Sequence, residues 1–159
     1  MDTSRRYFPA ALAGAVSVLS FSQTAHGKDT ALPVPNSLVQ AAQLAKARSQ
    51  PLVLLISLPG CVYCELVRRS YLMPLLAEIG LQVWQLDVSN RTAPLIGFDG
   101  KPTTAAAQAK AWGATFTPTV LFLDSYGQEL AERLVGIAVP DFYGGYLEQR
   151  LVAAKGKLN

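Results

Sequence analysis

Histidine and cysteine are nearly missing: the 159 residues hold one histidine, His26, and two cysteines, Cys61 and Cys64. These three side chains fall one short of the four ligands of a structural zinc site. They also exclude a Ser-His-Asp triad or a Cys–His nucleophile unless His26 itself serves. Charge is scarce, at 16% of residues, and no basic cluster is longer than the pairs Arg5-Arg6 and Arg68-Arg69. The net charge of +3, from 14 basic and 11 acidic residues, is small and scattered. The basic stripe of a nucleic-acid binder is therefore absent, and no nucleic-acid partner is expected. No internal repeat or low-complexity tract occurs. What the chain does have is a hydrophobic half, enough for a packed core, and a length that suits one domain and is too short for two.

Residues 1–27 read as an export signal. Arg5 and Arg6 make a positive start, Pro9 to Phe21 is a mildly apolar stretch, and Ala25-His26-Gly27 puts small residues where a signal peptidase reads. The apolar stretch is well short of the about 20 residues of a membrane span, so no stable span is expected after cleavage. Ser4-Arg5-Arg6-Tyr7-Phe8 also resembles the twin-arginine signal, although Pro9-Ala10 stands where that signal usually has Leu-Lys. General secretion and twin-arginine export both remain open, and both end outside the cytoplasm; a periplasmic location is expected. Cleavage after Gly27 would remove Asp2, Arg5, Arg6 and His26 and leave 12 basic and 10 acidic residues, a net +2 with no histidine. Chemistry in residues 28–159 then falls to cysteines, carboxylates, lysines and hydroxyls.

Residues 28–35 form a lead-in, mobile or extended. Asn36 or Ser37 can cap a helix carrying Leu38, Val39, Ala42 and Ala45 and ending near Ser49. Leu52-Val53-Leu54-Leu55-Ile56, between Pro51 and Pro59-Gly60, is an unbroken apolar run that suits a strand buried on both faces. Cys61 opens the next helix, which Pro74 kinks and Gly80 stops. Residues 81–88 alternate as a second strand. Residues 89–102 read as a long loop. Thr103 or Thr104 caps an Ala-rich helix ending at Trp112-Gly113; residues 119–123 form a third strand; Ser125-Tyr126-Gly127 turns into a fourth, antiparallel strand over 129–135; and Pro140 opens a last helix to about Ala153, weakened by Gly144-Gly145. The order α, β, α, β, α, β, β, α predicts an α/β domain over 36–153, with a parallel core, an antiparallel closing hairpin and a short tail at 154–159. Trp84 and Trp112 are assigned to the core.

Cys61-Val62-Tyr63-Cys64 carries the chemistry. It lies where a buried strand meets a helix, so Cys61 falls in the first turn, where free N–H groups and the helix dipole stabilise a thiolate. The two-residue spacing brings Cys64 within bonding reach, so one sulfur can attack a substrate disulfide and the other can resolve the mixed disulfide. Cys61 is expected to be the exposed nucleophile and Cys64 the shielded resolving thiol. Half a metal site is excluded by the missing third and fourth N/S ligands, and haem attachment by Glu65 where a His is needed. A purely structural disulfide stays open, although so small a loop constrains the unfolded chain little. Glu65 is assigned to solvent; Arg68, one turn beyond Cys64, is either a charge neighbour or a surface residue, and the surface reading is favoured.

The strand–Pro59-Gly60-Cys61-x-x-Cys64–helix junction, Phe116-Thr117-Pro118-Thr119 leading into a strand, and Val135-Gly136 before the last helix together resemble the thioredoxin superfamily, over about residues 36–153. The resemblance implies a thioredoxin fold, a central mixed four-stranded sheet flanked by helices. It implies a cis Pro118 facing the CxxC, Thr117 offering its backbone to an extended substrate, and Tyr63 exposed to touch it. Two positions depart from the thioredoxin pattern: Gly60 stands where thioredoxin has Trp before the first Cys, and Leu55 stands at its buried Asp.

Exported disulfide reductases and the catalytic domain of disulfide isomerases are the most similar branch. A thiol–disulfide oxidoreductase is therefore expected, with Cys61 and Cys64 catalytic, Thr117, Pro118 and Tyr63 substrate-binding, and neither metal nor organic cofactor. Its partners would be protein thiols and disulfides and a membrane or soluble redox partner, and the chain is expected to act as a monomer. A reductant is favoured over an oxidant, and an oxidant over an isomerase. A thioredoxin-fold binding module with a structural disulfide is the alternative from another class.

Overall fold

The computed structural model describes residues 31–158; the export signal read at 1–27, with His26, lies outside the described residues. Helix α1 (Leu38–Lys46) starts at Ser37, whose hydroxyl accepts the Gln40 N–H at 3.3 Å. Such a cap is worth about 1 kcal/mol. Strand β1 (Leu52–Ser57) is buried at every residue. It pairs in parallel with β2 (Val83–Asp87) on one side and antiparallel with β5 (Thr119–Leu123) on the other, which is why its apolar run does not alternate. The short β6 (Leu134–Val135) completes a mixed sheet of order β2-β1-β5-β6. The sheet is flanked by helices, as the resemblance implies.

Two apolar layers enclose the sheet. Leu52, Leu54 and Ile56 of β1 face α1 and α4 (Ala105–Ala111). Val53 and Leu55 face the long helix after Cys61 and α5 (Tyr143–Gly156). The long helix has three parts: α2 (Val62–Leu66), a π-helical segment (Val67–Leu72) and α3 (Met73–Ile79). Pro74 has no N–H, and its ring collides with the carbonyl four residues back. The turn ahead of it widens, and the Met73 N–H reaches the Arg68 carbonyl, five residues back. The kink expected at Pro74 is thus a local widening of the helix. Gly80, at φ +61°, ends it in the left-handed region.

One expectation narrows and two change. The lead-in, read as mobile or extended, is extended and packed over its described residues: Leu32 is buried, and the Pro33 carbonyl accepts the Gln85 N–H at 2.9 Å along the edge of β2. The loop read over 89–102 contains a small antiparallel pair, β3 (Leu95–Ile96) with β4 (Pro102–Thr103), because Leu95 is drawn into the core and the Gly97–Gly100 turn brings the chain back. The fourth strand does not run unbroken over 129–135. Glu129 bridges Leu123 and Leu134 pairs with Val120, so β5 advances three residues while its partner advances five. The two extra residues bulge, which lets the adjacent Leu130 and Ala131 both be buried. Trp84 and Trp112 are partly buried against the α1/α4 layer. The closing helix forms through Gly144-Gly145 after a 3₁₀ turn at Pro140–Phe142.

Candidate active site

β1 delivers the chain to the site. Beyond Ser57 a turn is closed by the Cys61 N–H on the Leu58 carbonyl at 3.3 Å. Gly60 takes φ +73° there, a backbone state open to glycine without strain, which accounts for glycine at this position. Cys61 is the N-cap residue of α2, and its Sγ accepts the Cys64 N–H at 3.2 Å. Cys61 and Cys64 are joined in a disulfide, with Cα atoms 5.2 Å apart. The two sulfurs differ in access: Cys61 is half-buried, whereas Cys64 is only 1% exposed. Between them Val62 and Tyr63 point outward, 78% and 57% exposed.

The second wall comes from the chain entering β5. The Thr117–Pro118 peptide bond is cis. Antiparallel pairing of Ile56 with Thr119 sets Thr117-Pro118 at the end of the sheet from which the Cys61 turn leaves. Two bonds hold this loop: the Thr119 hydroxyl donates to the Phe116 carbonyl at 2.7 Å, and the Gly136 N–H donates to the Pro118 carbonyl at 2.7 Å. Pro118 is buried, Thr117 is half-buried, and the Phe116 ring is exposed. The sequence pattern therefore brings its three motifs to one end of the sheet.

Arg68 corrects the sequence reading. It is buried, not on the surface. Its Nε donates to Gln85 Oε1 of β2 at 2.7 Å, and its Nη1 pairs with Glu65. Glu65 is half-exposed but not simply solvated: its second oxygen accepts from Arg69 Nε at 3.1 Å. The hydrogen bond from Arg68, aided by the charges of both guanidiniums, holds the Glu65 carboxyl below its ordinary value. A signal for Arg68 was present in the spacing: Cys64, Arg68 and Leu72 recur every four residues on one helix face, and all three are buried. Gln85 had no local signal, since only strand pairing brings it to Arg68.

The model of a thioredoxin-like domain matches residues 38–150. The chain belongs to the thioredoxin-like family. Among solved structures it is similar to the oxidised mitochondrial thioredoxin 3 of Saccharomyces cerevisiae, at 20% identity over 76% of this chain and 93% of that one, with a TM-score of 0.50. It is also similar to the oxidised C-terminal domain of DsbD from Neisseria meningitidis, at 20% identity over 70% of this chain and 90% of that one, with a TM-score of 0.47. The first of these likenesses speaks to the fold alone. No curated protein matches the chain. A thioredoxin-like fold with a CxxC disulfide supports thiol–disulfide oxidoreductase activity in general terms.

Proposed function

We propose that the protein is an exported, periplasmic reductant of protein disulfides that works through Cys61 and Cys64. The observation that carries this reading is the unequal access of two bonded sulfurs at the start of one helix. In the reduced protein, Cys61 Sγ, favoured as a thiolate by the helix terminus, attacks one sulfur of a substrate disulfide. The Cys61–substrate bond forms, the substrate S–S bond breaks, and the other substrate sulfur leaves as a thiolate that water protonates. Cys64 then gives its proton to water and attacks Cys61 Sγ. The Cys61–Cys64 bond forms and the second substrate sulfur departs. Two electrons have passed to the substrate, and a dithiol-class donor must return them.

Thr117 and Pro118 position the extended substrate chain, and Tyr63 meets it at the exposed tip. The burial of Cys64 beneath the more accessible Cys61 supports its role as the shielded resolving sulfur. The Arg5-Arg6 signal supports export.

Reduction of insulin disulfides by residues 28–159, with dithiothreitol as the donor, tests the mechanism. Cys61→Ser should abolish turnover, and Cys64→Ser should accumulate a mixed disulfide visible by non-reducing electrophoresis. Full turnover by Cys61→Ser would overturn the mechanism. Recovery of the full-length protein in the cytoplasmic fraction alone would overturn export.

A further inference from the structure

The exchange steps leave Arg68 without a task, yet its side chain is buried one helical turn beyond Cys64. Burying a cation costs several kcal/mol unless it is well partnered, so its position calls for a reason. Arg68 stands one helical turn beyond Cys64, on the same buried face. Helical side chains lean back over the preceding turn, and Arg68 does so: Nη1 pairs with Glu65, the residue next to Cys64, while Nε is fixed on Gln85 at 2.7 Å. The guanidinium is thereby pinned between the Cys64–Glu65 turn and strand β2.

The charges around it do not cancel. One carboxylate, Glu65, serves both Arg68 and Arg69, so the group carries a net positive charge. The positions facing it from the sheet are neutral: Gln85 on β2 pairs in register with Leu55 on β1. Asp87, two residues along β2, keeps its negative charge but turns Oδ1 to the N–H and hydroxyl of Ser89 rather than to a guanidinium. Among the described residues of the lead-in, Leu32 is buried and the Pro33 carbonyl accepts the Gln85 N–H, and both residues are uncharged.

We propose that Arg68 is a positioning residue for the resolving step, holding a buried positive charge against Cys64 so that its thiolate can form despite burial. This rests on the reading of Cys61 and Cys64 as a redox pair. Where a carboxylate could accept the Cys64 proton directly, this chain has Leu55, so the proton goes to water and the sulfur left behind is stabilised by the cation. An opposite charge within reach lowers a thiol's pKa by roughly 1 to 3 units, and sharing Glu65 places the effect at the low end, about one unit. Losing the cation would cut the thiolate fraction about tenfold. The more basic thiolate is a better nucleophile, with a Brønsted slope of about 0.5, so the resolving step would slow only about threefold.

The test titrates Cys64 in the Cys61→Ser background by thiolate absorbance near 240 nm, with the insulin turnover of the wild type and the resolving rate of the two-cysteine chains measured alongside. Arg68→Met should raise the Cys64 titration by about one pH unit and slow resolution about threefold. Arg68→Lys should stay closer to the parent than Arg68→Met. Glu65→Gln, on a half-exposed side chain, should lower the titration, because it frees positive charge; it carries the test should Arg68→Met not fold. Equal titrations in all variants, or shifts of one sign for Arg68→Met and Glu65→Gln, would overturn the proposal. Opposite shifts in a chain whose wild type turns over no insulin would uphold the charge coupling and overturn the redox reading instead.

Discussion

The sheet face covered by α1 and α4 is closed with aliphatic side chains: Leu52, Leu54, Ile56, Leu121 and Leu123 meet Ala41, Ala42, Ala45, Ala105 and Ala109. The face covered by the long helix and α5 is built from the same strands but holds Arg68 and Tyr143 among its leucines and valines. The Tyr143 hydroxyl is buried with no hydrogen-bond partner among the described residues, and burial together with the nearby Tyr71 pushes its ionisation up. This second face also carries the widened turn before Pro74. Buried polar groups and irregular turns cost stability, and the buried cation, the unpartnered tyrosine hydroxyl and the widened turn all fall in this second layer. The difference separates a scaffold face from a working face, and Cys61 sits at the strand–helix junction that enters the working one.

Adjacent residues of β1 put that division to its strongest test. Leu54→Ala and Leu55→Ala each remove a fully buried side chain and should each cost about 3 kcal/mol, measured by denaturant unfolding of the oxidised protein. Only Leu55→Ala, whose face packs under the long helix, should also change the rate of disulfide exchange by the folded chain. Equal effects of the two substitutions on exchange would erase the distinction between the faces.

A smaller effect concerns pH. The Glu65 carboxyl is held below its ordinary value in the folded protein by Arg68 and Arg69. Its contribution to stability is therefore complete above the unfolded glutamate value and is lost as pH falls through the lower folded one. The side chain is half-exposed, so less than about 1 kcal/mol is at stake. Unfolding curves taken between neutral and strongly acid pH should be slightly flatter for Glu65→Gln than for the parent. An unchanged pH dependence would mean that the ion pairs on the working face do not couple to folding.

Local pattern was enough for much of this molecule. The run Leu52–Ile56 announces a central strand, Ser37 and Thr104 stand where the caps form, and the CxxC falls at the helix start. The cis Thr117–Pro118 bond was reachable only through the likeness to thioredoxins. Other features depend on pairing between distant segments. Arg68 looks like a surface charge until Gln85, seventeen residues away, and Glu65 are seen to satisfy it. The β3–β4 pair and the bulge before β6 arise because Leu95, Leu130 and Ala131 are pulled into the core, which no short window of sequence displays.

The reduction potential of the Cys61–Cys64 pair, measured in residues 28–159 by equilibration with dithiothreitol buffers while circular dichroism follows the fold, tests the central claim most directly. The account predicts ready reduction with the fold intact, at a value near or below about −270 mV. A value approaching about −120 mV, or reduction only with unfolding, would contradict it: the first describes an oxidant and the second a structural disulfide.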